Sequence, residues 1–415
     1  MYIVEYGESL SLFIEERQAE QIEICGEQWR KRLKLKKSPF HLSKTSEGVY
    51  KLRVKGVAGF IRVAGINLEI APKFLNASTK SSNWKTAMWR FLLYGNGIES
   101  LSVAEGHVST EVGIPDVIAH IFLTSLRGAS IKGYPLGYKS QRSYSSFISG
   151  RLDPKQFHKL LPATGKIGII SSQLTRDIAI NRLLKWATLE LSRTVESASR
   201  RKRLMHFTDE FPDVSVIPPS IESIAQVHKQ YPHLTQAIGI SKLLLEGKKA
   251  TYAEGDFNLS GFLWDSDDLF ERAMLRLLSE AAAALGWSGS KSSYKLAHGS
   301  IKGADLETHT TPDISITVGK STVFIADAKY KNIDKKPSNE DFYQILAAGR
   351  VKEIPSVALL YPDEGESFEG YVFVPEGNGC PDQVYIVKIG LGSFASTEGV
   401  KKLREKAIEW MKDTV

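Results

Sequence analysis

Apolar and polar positions alternate in short runs through the first 75 residues. The alternation is clearest in "GVYKLRVKGVAGFIRVAGINLEIAPKF" (Gly48 to Phe74), where glycines at 56, 59 and 65 divide it into strands and turns. A β-rich module over residues 1–80 is expected. The period then changes. In "NWKTAMWRFLLYGNG" the residues Trp84, Met88, Phe91 and Leu92 share one helical face, and "IPDVIAHIFLTSLRGASIKG" has a Pro-Asp start and a glycine stop. The longest helical pattern is "TRDIAINRLLKWATLELSRTVESASRRKR". It sets Ile178, Leu183, Leu184, Ala187 and Leu191 on one stripe and reads as a single helix whose basic carboxyl end complements its dipole. Prolines and acids from Phe207 to Ser220 mark a loop, after which helical spacing resumes to about Leu245. Residues 81–255 therefore read as mainly helical.

The remainder, residues 256–415, opens with "DSDDLFERAMLRLLSEAAAALGW". Asp267 or Asp268 is placed to cap a helix carrying Leu269, Ala273, Leu277 and Ala281, and Gly286 to end it. Two strands follow, "DISITV" and "TVFIADAKY", joined by a tight turn at Gly319-Lys320; then come a helix, "NEDFYQILAAGRV", and a strand, "SVALLYP". A further strand is compatible with "SYKLAHG" ahead of the first two. The expected whole is an α+β multidomain protein whose last domain is α/β with a mixed central sheet.

Length and composition narrow the possibilities. A chain of 415 residues favours two or three domains, and 42% hydrophobic with 24% charged residues is the make-up of a globular protein. No apolar run approaches the roughly 18 residues needed to span a bilayer, and "MYIVEYGESLSLF" lacks the basic and apolar regions of a secretory leader. A cytoplasmic protein without a membrane segment is expected. Cys25 and Cys380 belong to no metal-binding spacing and are expected to be inert thiols. The net charge of +7 is concentrated in "RKRLKLKK" (Arg30 to Lys37) and in Arg200, Arg201, Lys202 and Arg203. Such runs suit either a polyanion, with the second a candidate for DNA-backbone contact, or an ordinary solvated surface.

The candidate chemistry lies on the two strands joined at Gly319. Asp327 and Lys329 are two residues apart and so share a face, and antiparallel pairing brings Asp313 beside them. Two adjacent carboxylates repel, and a Mg²⁺ ion held by oxygen ligands relieves that repulsion. A lysine beside such a cation can orient a water and stabilise developing negative charge, the requirements of phosphodiester hydrolysis. Read blandly, Asp313 caps a turn and Asp327 merely pairs with Lys329 on a wet face. The flanking "VFIA" is the signature of a doubly buried strand, where unpaired charge is rare, and argues against that. Other motifs fall away: "VGKST" has Ile314 where a phosphate-binding loop needs glycine, and neither His298 nor His309 has ligand-spaced partners.

Pro312-Asp313, thirteen intervening residues, and Asp327-Ala328-Lys329 resemble the PD-(D/E)xK nuclease superfamily. That resemblance implies a Mg²⁺-dependent nuclease domain, with Mn²⁺ a possible substitute. It makes Asp313 and Asp327 metal ligands and Lys329 the base or water-orienting group, with Glu271 on the preceding helix and Gln344 on the following one assisting. Four further elements, in order, resemble the McrC family: "IAPK" at residues 70–73, "FISGRLDP" from Phe147 to Pro154, "TRDIAINRLLK", and "DLFERAML". The likeness implies the nuclease subunit of a modification-dependent restriction system. Such a subunit acts on modified, 5-methylcytosine-type duplex DNA and stimulates an AAA+ GTPase partner of the McrB type through its β-rich amino-terminal module. The competing expectations are a repair or junction-resolving nuclease working without a motor, and a non-catalytic activator of an NTPase.

Overall fold

The structure is a computed structural model of the whole chain. It describes all residues except 77–83, 99–112, 149, 154–165, 218–230, 249–259, 302–303, 334–335, 377–378 and 380. Cys380, parts of the Phe147–Pro154 element and of the Phe207–Ser220 loop, and the expected boundaries at 80/81 and 255/256 lie wholly or partly outside the described residues. Among the described residues the chain is mixed α+β, and no helix is long and apolar enough to cross a membrane. Two compact units form: one from Met1–Ile118 together with Gly247–Val415, the other from Ala119–Glu246. They divide the chain differently from the three consecutive domains expected of the sequence, because the two ends of the chain share one unit.

The first unit holds β1 (Tyr2–Val4), β2 (Leu10–Phe13), β3 (Phe40–Ser46), β4 (Val49–Val54), β5 (Val57–Val63) and β6 (Ile66–Ala71), of which β4 alternates buried Tyr50, Leu52 and Val54 with exposed Lys51 and Arg53, while β3 is mostly exposed and β5 mostly buried. An 18-residue helix, α1 (Glu16–Leu33), interrupts them where mostly strands and turns were expected. Its buried side is the sparse set Ala19, Ile22, Cys25 and Trp29, too thin a stripe among charged residues to announce a helix. Start and stop are local. Glu15 and Gln18 form a reciprocal capping box, and Lys34 ends the helix in the left-handed region at φ 56°. The basic run Arg30–Lys37 begins in its last turn, where cations suit the dipole. The short α2 (Lys73–Asn76) and α3 (Trp84–Gly95) follow, and α4 (Ile114–Lys132) continues into the second unit.

Within the second unit, β7 (Gly137–Ser145), β8 (Arg151–Leu152) and β9 (Ile167–Thr175) form a three-stranded antiparallel sheet in order β7-β9-β8. Helices still make up most of the described part of the region expected to be mainly helical, and this sheet is an addition that the expectation did not include. Most side chains of β7 are exposed, so no alternation of apolar residues betrays it. The long helix expected here is two: α5 (Ala179–Thr194) and α6 (Ala198–Asp209), separated at Val195 and restarted by Ser197, whose hydroxyl accepts from the Arg200 N–H. Arg200 to Arg203 thus occupy the first turns of α6 rather than a helix end. α7 (Thr235–Lys248) completes this unit.

The chain re-enters the first unit through β10 (Ser260–Asp265), which pairs antiparallel with β5 in the register Phe262↔Phe60 and makes a four-stranded sheet of order β1-β6-β5-β10. Gly59 permits this. Its φ is +132°, and a Cβ there would lie 2.1 Å from the Phe262 carbonyl oxygen. Leu263 joins Ile3, Leu52, Val57 and Ile70 in one apolar core. Asp265, the last strand residue, caps α8 (Ser266–Ala284) by accepting from the Asp267 and Asp268 N–H groups, so the cap is neither Asp267 nor Asp268.

There follow β11 (Ser288–Ser290), β12 (Tyr294–Ile301), β13 (Ala304–Thr310), β14 (Ile314–Val318), β15 (Ser321–Ala328), α9 (Asn339–Lys352), β16 (Ser356–Asp363), β17 (Phe368–Phe373), β18 (Gln383–Gly390) and α10 (Thr397–Thr414). The central sheet is mixed, in order β11-β14-β15-β16-β18-β17, parallel at β15-β16-β18 and antiparallel elsewhere. The "SYKLAHG" strand exists as β12, but it pairs with β13 in a separate hairpin, and the short β11 takes the sheet edge. Along β15 the faces alternate: Phe324 packs edge-on against Trp410 of α10, while Ile325 joins Ile345 and Ala348 of α9 in the opposite core. Asp327 and Lys329, in phase with Ile325, therefore point to the α9 side.

Candidate active site

The pairing Ile314↔Ala326 sets Asp313 opposite Asp327 at the end of the β14–β15 ladder. The Asp313 N–H donates to Asp327 Oδ1 at 3.4 Å, and the Ala328 N–H donates to Asp313 Oδ2 at 3.1 Å. Both carboxylates are buried, Asp327 to 2% exposure. Lys329 Nζ lies 2.6 Å from Asp327 Oδ2 and donates to Gln344 Oε1 of α9 at 3.1 Å. On the other side Lys291 Nζ donates to Asp313 Oδ1 at 2.8 Å and to Glu271 Oε2 of α8 at 3.2 Å. All five residues singled out by the sequence, Glu271, Asp313, Asp327, Lys329 and Gln344, fall on this one connected chain of polar groups.

Lys291 is the member that sequence reasoning missed. It lies in the polar loop after β11, at no motif spacing, and only the folded chain brings it between Glu271 and Asp313. Asp341, one turn before Gln344 on α9, was also missed: it pairs with Lys331 at 2.6 Å and accepts from the Tyr361 hydroxyl at 2.9 Å. Arg200, Arg201, Lys202 and Arg203 belong to the other compact unit. Arg201 donates to the Ser192 and Val195 carbonyls, which satisfies the carboxyl end of α5 and gives this residue a structural task.

Electrostatics follow from burial and crowding. Burial, then the Asp313 charge, pushes the Asp327 carboxyl up to about 6, although Lys329 opposes it. Burial also acts upward on Asp313, but hydrogen bonds from Asp327, Lys291 and the Ala328 N–H outweigh it and hold this group below its ordinary value. Glu271 rises to about 7 through burial and the Asp313 charge. For Lys329 burial acts downward, yet the neighbouring Asp327 leaves its pKa raised, so it stays a cation. A cavity of about 420 Å³ opens beside this group, lined by Asp267, Glu271, Lys329 and Lys331 and, from the amino-terminal part of the unit, Tyr6 and Lys73.

No three His, Cys, Asp or Glu side chains form a ready cage for a metal among the described residues. The donor set is two adjacent buried carboxylates whose charge is balanced by lysines. It fits a hard divalent cation of the Mg²⁺ kind, which is commonly held by one or two carboxylates, retained waters and substrate phosphate.

Comparison with known proteins fixes the lineage. The family model for the "McrBC 5-methylcytosine restriction system component" matches residues 52–362, a span that takes in every residue of the polar chain. The chain belongs to the McrBC family. A search of the curated proteins returns no match. Among solved structures, a chain of the Thermococcus gammatolerans half-complex from a tetradecameric assembly of McrB AAA+ hexamers with bound McrC superposes with a TM-score of 0.64 at 18% identity. That match covers 99% of this chain and 100% of that one. A chain of the cryo-EM structure of the McrBC complex from the same organism matches at TM-score 0.48 and 19% identity over 68% of this chain and 88% of that one. The first of these extends the shared fold over nearly the full length of this McrBC-family chain.

Proposed function

We propose that this McrBC-family chain is the nuclease subunit of its system, a Mg²⁺-dependent DNA endonuclease built on a PD-(D/E)xK domain spanning α8 to α10. The observation that carries the reading is the continuous polar chain Glu271–Lys291–Asp313–Asp327–Lys329–Gln344 at the open end of a buried ladder. Burying two carboxylates side by side is costly unless something is gained there. Asp313 and Asp327 would hold the cation, with Glu271 beside them. When bound, it would supply Lewis-acid polarisation of a phosphate oxygen and lower the pKa of a water.

The reaction is hydrolysis: water oxygen bonds to phosphorus, a phosphorus–oxygen ester bond breaks, and a proton passes to the leaving oxygen. Lys329, held by Asp327 and Gln344, presents its ammonium at the cavity, where it can orient the water and stabilise charge growing on the phosphate. Gln344 acts through Lys329 by fixing its Nζ, a positioning role. The proposed partner is an AAA+ GTPase of the McrB type, in keeping with the assembly named for the Thermococcus gammatolerans relative, and the proposed substrate is duplex DNA modified with 5-methylcytosine. Asp327→Ala and Lys329→Ala should each abolish cutting of methylated DNA by the chain with its GTPase, with circular dichroism unchanged. Undiminished cutting by either variant would overturn the assignment.

A further inference from the structure

Three lysines line the cavity beside the acidic pair, and two of them are already engaged. Lys329 is paired with Asp327 and Lys331 with Asp341, each at 2.6 Å. The third, Lys73, comes from the far end of the sequence, and among the described residues no carboxylate lies within ion-pair distance of it. We infer that Lys73, supplied by the amino-terminal sheet, binds a backbone phosphate of the DNA strand that enters this cavity. The inference rests on the nuclease reading given above.

Its placement is rigid. Lys73 opens α2 directly after β6, whose Ala71 carbonyl accepts from the Glu5 N–H at 2.9 Å. Glu5 in turn accepts from the Tyr330 hydroxyl at 3.3 Å, and Phe74 packs edge-on against the Tyr330 ring at 5.1 Å between centroids. Tyr330 directly follows Lys329, so contacts on either side of Lys73, through Ala71 and Glu5 and through Phe74, hold this turn against the end of the catalytic strand. The same module contributes Tyr6, held at φ 55°, a strained conformation for a bulky residue and one that tends to gather at functional sites. Lys73 Nζ lies 5.2 Å from the Phe74 ring centroid, a contact that steadies the stem and leaves the ammonium's hydrogen-bond donors available. A compact cation on a fixed stem, at the rim of a cavity already carrying a lysine and acids, suits an anionic ester better than a neutral ligand.

The test is duplex binding without cleavage. Wild type, Lys73→Met and Lys73→Arg are titrated against a fluorescently labelled duplex oligonucleotide in EDTA over a salt series. Lys73→Met keeps the aliphatic stem over Phe74 and removes the charge. Loss of one phosphate contact should shrink the slope of log K against log salt by about 0.9, equivalent to roughly 8-fold weaker binding near 0.1 M salt. Lys73→Arg should retain both, and all three proteins should melt at the same temperature. Identical slopes and affinities for Lys73→Met and wild type would overturn the inference, as would a wild type that binds no duplex. Calorimetric titration of the wild type with Mn²⁺ keeps the two readings apart. Cation uptake with unchanged slopes sinks Lys73 alone, whereas no uptake sinks the nuclease site.

Discussion

Asp327→Asn should stabilise the apo protein while removing its capacity to hold a divalent cation. The wild-type side chain is 2% exposed, and burial with the neighbouring Asp313 raises its pKa from 3.8 to about 6. An acid raised in this way contributes stability that is fully present below its unfolded pKa and is lost as pH rises through the folded value. Above pH 6 the folded chain therefore carries a penalty that the amide does not. A shift of roughly two units corresponds to about 3 kcal/mol at about 1.36 kcal/mol per unit, an upper bound because the asparagine cannot fully replace the ion pair to Lys329. Scanning calorimetry in EDTA should show Asp327→Asn melting several degrees above wild type at pH 7.5, with the advantage shrinking towards pH 4.5 as the wild-type acid protonates. Saturating Mg²⁺ should then raise the wild-type midpoint and leave the variant unmoved. A variant less stable than wild type at both pH values would refute the claim that this carboxylate is held at a cost.

Other outcomes are equally open to measurement. Lys291→Met frees Glu271 and Asp313 from their shared cation and should tighten Mn²⁺ binding several-fold by calorimetry; weaker binding would show that Lys291 supports rather than competes for the site. Gly59→Ala puts a Cβ 2.1 Å from the Phe262 carbonyl at φ +132°, and should cost more than about 2 kcal/mol in denaturant unfolding. Trp410 meets Phe324, Phe368 and Tyr385 edge-on, so Trp410→Ala should cost about 3 kcal/mol, read by the same method. In the other compact unit, Lys202→Gln with Arg203→Gln should lower the salt dependence of duplex binding if these exposed cations touch DNA, whereas Arg201→Gln should chiefly lower stability, by about 1 kcal/mol, through the lost α5 carbonyl bonds.

What could be read from the sequence was whatever depends on near neighbours. Asp327 and Lys329 share a face because side chains alternate along a strand, and Asp313 reaches them because a tight turn fixes the register of a hairpin. Glu271 and Gln344 came from family resemblance, and the fold brings them to the same group. Lys291 carries no local mark, and Lys73 was marked only as the end of the "IAPK" element, because the place of both beside the site arises only when residues far apart in the chain meet. The missed elements share a cause as well. Helix α1 buries four side chains among many charged ones, and β7 exposes most of its surface, so neither writes a period into the sequence. The split between α5 and α6 turns on the Ser197 cap, an effect of about 1 kcal/mol that apolar spacing cannot reveal.

The pairing of β5 with β10 also bears on synthesis. Residues 57–63 leave the ribosome about 200 residues before 260–265, which at roughly 5–20 residues per second is a wait of about 10–40 s. For that interval the edge of β5 that β10 later occupies has no partner, on a strand rich in apolar residues (Val57, Ala58, Ile61, Val63), and an unpaired strand edge is the feature most prone to join the wrong chain. Truncated forms ending before residue 260 would keep that edge open permanently. Production of the amino-terminal module on its own should therefore favour aggregates, and co-expression with a fragment beginning ahead of Ser260 should restore it to solution.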